Sequence, residues 1–247
     1  MRLKSINPKN NKIIDSWDTH NLDDVTNILI RANEAYLDWM NTDLSFRINC
    51  LEEVSNLLRE RSKEYGTLMA DEMGKPLAQG LAEIEKCAWL CDYYKENAER
   101  FLSPKSIGTE NFKSFVTFQP IGLVLGVMPW NFPFWQVFRF AIPSLTVGNG
   151  AVLKHASNVQ GCANAIEKCF IDAGYYENIF CNLRISGAQV ASVIENDNIA
   201  AVTLTGSTPA GQAVAKKAGE CLKKTVLELG GSDPYLILDD ADIENAV

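Results

Sequence analysis

From residue 120 onward, short apolar runs alternate with longer segments of helix length, and no other feature of the sequence constrains the fold as strongly. The apolar runs are four to seven residues long, which is the length of a typical strand. Strands that alternate with helices indicate crossover connections, and therefore a mostly parallel sheet with helices on both faces. We predict an α/β fold. The predicted strands are 121–127, 151–154, 179–183, 199–205, 225–229 and 235–238, and the predicted helices between them are 134–147, 159–173, 188–195 and 211–222.

The chain before residue 120 is predicted to be largely helical. Apolar residues recur at spacings of three and four over 48–58, and Asp43 stands where it can cap that helix. A second helix is expected to end at Gly74, and a third to begin near Leu77. The polar stretch 103–111 is the best candidate for a linker. The resulting division is a helical part at 1–111, a strand at 112–119 and a sheet-forming core at 120–247.

One stretch is long enough to cross a membrane, since residues 114–138 contain no charged side chain over 25 positions. The same stretch holds three prolines, an asparagine and two glutamines, which are costly in lipid. A buried strand followed by a proline-rich loop explains it better. The amino terminus turns polar at once and lacks the apolar region of a secretory signal. We expect no membrane association.

Charge and cysteine usage exclude several classes of partner. Thirty-one acidic against 23 basic residues give a formal charge of −8, and the basic residues form no dense cluster, which argues against nucleic acid. The seven cysteines are an odd number without a paired framework, which is typical of a reducing, cytoplasmic setting. Cys87 and Cys91 lie four apart on a predicted helix, but neither of the two histidines is near them in sequence. We interpret both cysteines as buried apolar side chains and predict no metal site.

Chemistry in such a sheet is expected in the loops that follow the strands, where strand carboxyl ends meet helix amino ends. The first of these loops carries Asn131, whose amide can donate to developing negative charge. Lys154 ends the second strand and could meet a ribose or a phosphate. The segment that begins at Gly206 opens an alanine-rich helix with small residues that admit a pyrophosphate. Glu228 precedes two glycines and could be a general base whose pKa is raised by burial.

Each of these residues also has an ordinary structural explanation. Asn131 could satisfy turn backbone groups, Lys154 could be a surface lysine, and Glu228 could be a strand-end acid. His155 is expected to be a packed or solvated neighbour rather than a general base. The segment at Gly206 matches neither the G-x-G-x-x-G fingerprint nor a P-loop. What favours a functional site is that four such loops share one edge of the sheet.

Six short segments match, in order and spacing, the signatures of one enzyme superfamily. They are Glu72-Met73-Gly74-Lys75-Pro76, Pro129-Trp130-Asn131-Phe132-Pro133, Gly148-Asn149-Gly150-Ala151-Val152-Leu153-Lys154, Thr205-Gly206-Ser207, Leu227-Glu228-Leu229-Gly230-Gly231 and Asp240-Ala241-Asp242. Together they resemble the aldehyde dehydrogenases, from about residue 5 to the last residue. The resemblance implies a Rossmann-like cofactor-binding domain preceded by helices. The strand at 112–119 is similar to the family's oligomerisation arm, which implies a homo-oligomer.

The resemblance also implies a covalent mechanism in which an aldehyde is oxidised through a thioester. Asn131 would donate to the oxyanion formed when a thiolate adds to the aldehyde, and Glu228 would activate the water that hydrolyses the thioester. The cofactor would be NADP or NAD. The residues that the resemblance assigns to the cofactor are Trp130, Asn131, Lys154, His155, Ala156, Ser157, Gly206, Ser207 and Leu229.

Within the family, the segments around Lys154 and Leu229 look most like those of bacterial succinate-semialdehyde dehydrogenases. Arg139 stands eight positions after Asn131, where such enzymes place an arginine for the substrate carboxylate. A surface arginine that caps a helix carbonyl is the alternative. Many NAD-preferring relatives have a glutamate at the position of Ser157, and the neutral serine removes repulsion toward a 2′-phosphate. The resemblance therefore implies an aldehyde that bears a carboxylate, and acceptance of NADP.

The family's nucleophilic cysteine follows the general base in a Gly-Gln-x-Cys context that none of the seven cysteines shares. The catalytic domain is therefore expected beyond residue 247. Our first hypothesis is that the chain is part of an NAD(P)-dependent semialdehyde dehydrogenase and is inactive alone. The second is that the 247-residue chain is the real product and is not an enzyme, so that it only binds dinucleotide or a partner subunit. The third is a dehydrogenase that uses Glu228 as a base without a covalent step.

Overall fold

The computed structural model describes residues 2–246, and it opens with a strand pair that the sequence did not predict. The first strand alternates exposed and buried side chains, with Leu3 and Ser5 directed inward. The two strands are only five and six residues long, so the alternation of apolar and polar residues runs over too few positions to predict strands ahead of the helical pattern that follows. The elements up to residue 116 are β1 (Arg2–Ile6), β2 (Ile13–Asp18), α1 (Leu22–Trp39), α2 (Leu44–Glu60), α3 (Ser62–Met73), α4 (Leu77–Leu102), β3 (Lys105–Ser106) and β4 (Phe115–Val116).

The helices predicted for this part of the chain are present. Leu51, Val54 and Leu58 of α2 are fully buried, as the apolar stripe indicated. Asp43 occupies the N-cap position of α2, although its side chain accepts no capping hydrogen bond. Gly74 ends α3 with a φ of 77°, a left-handed conformation that glycine adopts at little cost.

Five parallel strands form the main sheet, and their order reverses at the centre. From residue 123 onward the elements are β5 (Leu123–Val127), α5 (Trp135–Thr146), β6 (Gly150–Lys154), α6 (Gln160–Asp172), β7 (Phe180–Asn182), a 3₁₀ turn (Gly187–Gln189), α7 (Val190–Glu195), β8 (Ile199–Thr205), α8 (Thr208–Glu220), β9 (Lys224–Glu228) and α9 (Ile243–Ala246). The strand order is β7-β6-β5-β8-β9, so the chain builds outward from β5 on one side and then continues from β8 on the other. This is a doubly wound, Rossmann-like sheet, and it confirms the predicted α/β fold.

Helices cover both faces of this sheet. Successive residues of β6 point to opposite faces, so Ala151 and Leu153 pack in one apolar cluster and Val152 packs in the other. Helices α2 to α6 supply most of the first cluster, whereas α1, α7 and α8 supply the second. Cys87 and Cys91 are fully buried in the first cluster, as predicted for small apolar side chains.

Two predicted strands differ from the structure. The strand at 112–119 is reduced to Phe115–Val116, which pairs with Lys105–Ser106 inside the predicted linker. The run 235–238 forms no strand, and its side chains are exposed. An apolar run is stable as a strand only when it is hydrogen-bonded to a neighbouring strand. No strand within residues 2–246 lies beside the run 235–238 to pair with it.

The uncharged stretch 114–138 contains a buried strand followed by a proline-rich loop, as predicted. Strand β5 occupies its middle, and α5 begins near its end. Among residues 2–246, no helix combines the length and the apolar character that a membrane crossing requires.

Gly126 of β5 faces the ring of Phe140 so closely that no side chain fits between them. A Cβ atom built on Gly126 lies 2.4 Å from two carbon atoms of that ring. We expect Gly126→Ala to lower the free energy of unfolding by about 1–3 kcal/mol, because the buried ring must move. Gly219→Ala is the control, since nothing lies within 4 Å of its added Cβ atom. Urea unfolding of both variants measures the difference, and equal midpoints would contradict the prediction.

Candidate functional site

The loops that follow four strands meet at one edge of the sheet. Because the strand order reverses between β5 and β8, a crevice opens outside the carboxyl ends of these two strands. The Met128 N–H, after β5, donates to the Lys154 carbonyl oxygen at 3.1 Å. The Gly206 N–H, after β8, donates to the Glu228 carbonyl oxygen at 3.0 Å. The four segments singled out from the sequence therefore lie side by side.

The loop after β5 presents Asn131 at its surface. The Asn131 Oδ1 accepts a hydrogen bond from the Phe132 N–H at 3.1 Å, and the Nδ2 amine has no partner among residues 2–246. Trp130 beside it is 51% exposed. The donating end of the Asn131 amide is therefore available at the crevice, as an oxyanion donor requires.

His155 is a buried support of this loop. Its Nε2–H donates to the Pro133 carbonyl oxygen at 2.9 Å, and its Nδ1 accepts from the Ala156 N–H at 2.9 Å. Burial lowers the pKa of His155 to about 4, so the ring is neutral near pH 7. A neutral ring with both nitrogens occupied is the packed histidine that the sequence predicted, and not a general base.

An apolar cleft of about 270 Å³ lies on the face of the sheet that α7 and α8 cover. The Lys154 side chain lines it, and burial alone lowers the pKa of the Lys154 ammonium, with no carboxylate among residues 2–246 to offset it. Helix α8 begins beside this cleft, where Ser207 is the N-cap and Ala210 lines the wall. A cation, an apolar wall and a helix N-terminus together suit a ligand that is partly apolar and partly anionic.

Sequence reasoning missed the far wall of this cleft. Gly187 of the 3₁₀ turn, Val190 of α7 and Lys217 of α8 line it. The turn begins with a capping box, in which the Ser186 N–H donates to the Gln189 Oε1 at 3.0 Å. The S-x-x-Q pattern of this turn is the one sequence signal that could have marked the wall.

A larger cavity of about 490 Å³ lies on the opposite face, between α5, β8 and β9. Strand alternation separates the two spaces, because Thr203 and Thr205 of β8 line this cavity whereas Leu204 lines the cleft. Arg139 of α5 and Glu228 of β9 both line the cavity. The Arg139 Nη2 lies 3.4 Å from the Glu228 Oε1.

Glu228 is not buried, contrary to the expectation from its flanking leucines. Its side chain is 52% exposed. Strand β9 is at the edge of the sheet in residues 2–246, so only β8 flanks it. Leu229 is itself partly exposed and packs over Gly211 of α8 instead of over the carboxylate. Glu228 therefore faces a guanidinium in an open cavity rather than an apolar pocket.

The rest of the predicted set lies in the turn between β6 and α6. Ser157 is exposed there, and Ala156 is half-buried. Trp130 and Asn158 line a further cavity of about 240 Å³ beside this turn. Of the predicted residues, Arg139 and Glu228 line the larger cavity, Lys154 lines the cleft and Trp130 lines this third cavity. The other predicted residues line none of the three and lie in the loops and strand ends beside them. In the part of the chain that the structure describes, no group of three or more His, Cys, Asp or Glu side chains could hold a metal ion.

The strand order and the crevice define a class: a doubly wound α/β domain whose ligand site lies at the reversal point of the sheet. The chain belongs to the aldehyde dehydrogenase family, whose model matches residues 1–247. This match confirms the resemblance seen in the six short segments.

Relatives of this chain include succinate-semialdehyde dehydrogenases. The NAD(P)+ enzyme Sad of Escherichia coli (strain K12) is 43% identical over 243 residues, which are 98% of this chain and 53% of that protein. An NADP(+) enzyme of Mycobacterium tuberculosis is 38% identical over 250 residues, covering 100% of this chain and 55% of that one. The crystal structure of the Streptococcus pyogenes enzyme with NADP+ superposes with a TM-score of 0.94 at 37% identity, over 98% of this chain and 53% of that chain. The chain spans about half the length of the curated relatives it matches.

Proposed function

We propose that this chain is the cofactor-binding part of an NADP-linked aldehyde dehydrogenase that oxidises succinate semialdehyde to succinate. The observation that carries the proposal is the partly buried Lys154 ammonium, which has no carboxylate partner in residues 2–246 and lines the cleft beside α8. A cation in this position is costly unless a ligand anion approaches it. The NADP-linked relatives and the NADP+ held by the Streptococcus pyogenes enzyme support the same cofactor.

Different residues around the cleft bind different parts of the dinucleotide. The apolar wall takes the adenine, and Lys154 takes the ribose next to it. The family resemblance assigns Trp130 to the same ribose, although Trp130 lines the cavity of about 240 Å³ beside the β6–α6 turn. Gly206 and Ser207 admit the pyrophosphate at the start of α8, where the helix dipole favours an anion. Ser157 adds no negative charge toward a 2′-phosphate, which favours NADP. Bound NADP+ supplies the hydride acceptor.

The larger cavity, between α5, β8 and β9, binds the aldehyde substrate. Arg139 pairs with the substrate carboxylate. The Arg139 Nη2 lies 3.4 Å from the Glu228 Oε1, so the guanidinium is placed where a carboxylate can reach it, which supports this role. The Asn131 Nδ2 donates to the oxyanion, and Glu228 removes a proton from the water that hydrolyses the thioester. We place the attacking thiolate outside residues 1–247, in the part that the relatives have in addition.

Activity is the test of the proposed reaction. A form of the protein as long as its relatives, kept reduced, should form NADPH from NADP+ when succinate semialdehyde is added. Absence of turnover in a folded form that still binds NADP+ would support the alternative of binding without catalysis.

Ser157→Glu should reverse the cofactor preference. The new carboxylate repels the 2′-phosphate, so we expect the Kd for NADP+ to rise about 10- to 100-fold while the Kd for NAD+ changes less than about threefold. Ser157→Gln is the matched control, because it adds similar bulk without charge. Calorimetric titration of the chain with both cofactors measures the ratio, and an equal loss for NADP+ and NAD+ would contradict the assignment.

A further inference from the structure

A buried ion pair lies beneath the loop that carries Asn131. Lys75, in the turn between α3 and α4, pairs with Glu83 of α4, and their side chains are only 5% and 1% exposed. A pair this deeply buried gains little net stability, because removing two charges from water costs about as much as their attraction returns. What distinguishes this pair is the set of groups that its two side chains contact.

The lysine of this pair holds the loop at Asn131 itself. The Lys75 Nζ donates to the Asn131 carbonyl oxygen at 3.0 Å, across 56 positions of sequence. The same ammonium lies 3.8 Å from the centroid of the Phe132 ring, within the range of a cation–π contact. Two consecutive residues of the loop are thus attached to one buried cation.

The glutamate of the pair holds the other end of the loop. The Glu83 Oε1 accepts from the Phe134 N–H and from the Trp135 N–H, each at 2.9 Å. Helix α5 begins at Trp135, so the carboxylate satisfies two backbone donors of a helix start and lies at the positive end of its dipole. The pair therefore joins α4 to the loop and to the helix that carries Arg139.

This attachment fixes the direction of the Asn131 amide. The amide Oδ1 is bonded to the Phe132 N–H of the same loop, so the direction of Nδ2 follows the local backbone. Lys75 holds that backbone through the Asn131 carbonyl oxygen. A donor to an oxyanion must be held to within fractions of an ångström to be effective.

We propose that Lys75 and Glu83 are positioning residues for the Asn131 amide, held rigid so that its Nδ2 is aimed before substrate arrives. This inference rests on the proposed function in one respect, the role of Asn131 as the oxyanion donor. Neither residue contacts the cleft or the larger cavity. Both act through the loop backbone.

The first test needs neither cofactor nor substrate. In the double variant Lys75→Met/Glu83→Gln both charges are removed and the bond to the Asn131 carbonyl oxygen is lost. The glutamine can still accept from the Phe134 and Trp135 N–H groups. We expect hydrogen exchange at the Phe132 amide, followed by NMR on the chain, to become at least about tenfold faster relative to amides of α2. Unchanged exchange at Phe132 would overturn the proposal.

Two controls separate positioning from a general loss of stability. Arg59→Met/Glu85→Gln removes the two ion pairs that Arg59 of α2 makes with Glu85 and Asp92 of α4, and it should leave exchange in the loop unchanged. Leu58→Ala leaves a cavity under α2 and should speed exchange in the loop and in α2 alike. If the double variant accelerates hydrogen exchange in the loop by no more than it accelerates exchange in α2, the pair only stabilises the fold and the proposal is wrong.

The second test couples the pair to Asn131 in a form as long as the relatives. The double variant should lower kcat for succinate semialdehyde by at least about tenfold with the KM for NADP+ little changed, and it should cost nothing further in an Asn131→Ala background. If the fold-losses in kcat of the double variant and of Asn131→Ala multiply when they are combined, the pair acts independently of Asn131 and the proposal is wrong. If that form has no activity at all, the proposed function fails, whereas the exchange experiment still decides whether the pair holds the loop.

Discussion

Replacing Asn131 with alanine is expected to lower kcat for succinate semialdehyde by about 100- to 1000-fold in a form of the protein as long as its relatives. The variant loses the Asn131 amide, whose Nδ2 has no partner among residues 2–246, while the backbone contact to Lys75 remains possible. Because the oxyanion exists only after the thiolate adds, the loss should fall on kcat, with the KM for NADP+ within about threefold. Steady-state kinetics with both substrates measures the split.

Asn97→Ala is the matched control for this prediction. Asn97 lies on the exposed side of α4 and donates to the Tyr93 carbonyl oxygen, away from the crevice loops. Its replacement should leave kcat unchanged. An Asn131→Ala enzyme that turned over within threefold of wild type, on the same assay, would show that this amide is not the oxyanion donor.

Glu228→Gln is expected to stop the reaction after the first turnover. Without the carboxylate as a base, water attacks the thioester slowly, and the steady-state rate should fall by about 100- to 10,000-fold. Hydride transfer precedes that step, so a burst of NADPH close to one equivalent per site should remain. Stopped-flow absorbance resolves the burst from the slow phase, and the thioester should accumulate as a mass increase on the enzyme.

The outcome that would contradict this role is specific. Loss of the burst together with the steady rate would place Glu228 in an earlier step, or in the fold, rather than in hydrolysis. Glu220→Gln, which removes an exposed acid paired with Lys217 in α8, should change neither phase. The open cavity around Glu228 has room for the water that this step requires.

Much of the sheet was predictable because local pattern and tertiary burial agree there. Strand β8, Ile199–Thr205, was predicted with its observed bounds, and the loop that follows it opens a helix as expected. The run 235–238 has a similar apolar pattern yet forms no strand, because hydrophobicity does not show whether a neighbouring strand exists. The β1–β2 pair was missed for the opposite reason, since five alternating residues carry too weak a signal.

The sequence predicted which loops form the site, but it did not predict the burial and the contacts of the side chains in them. Asn131, Lys154, Gly206 and Glu228 lie at one edge of the sheet, as strand topology requires. That β9 is an edge strand, which leaves Glu228 exposed, is a tertiary fact that the flanking leucines concealed. The support from Lys75 was equally hidden, because a contact across 56 positions leaves no local pattern.

Calorimetric titration of the chain with NADP+ is the most direct test of the central claim, that the cleft beside Lys154 binds the cofactor. We expect one saturable site with a Kd below about 1 mM, the range in which dehydrogenases use their substrates, and at least about tenfold weaker binding in Lys154→Ala. Circular dichroism verifies that both proteins are folded. Absence of saturable binding of either NADP+ or NAD+ to the folded wild-type chain would contradict the account.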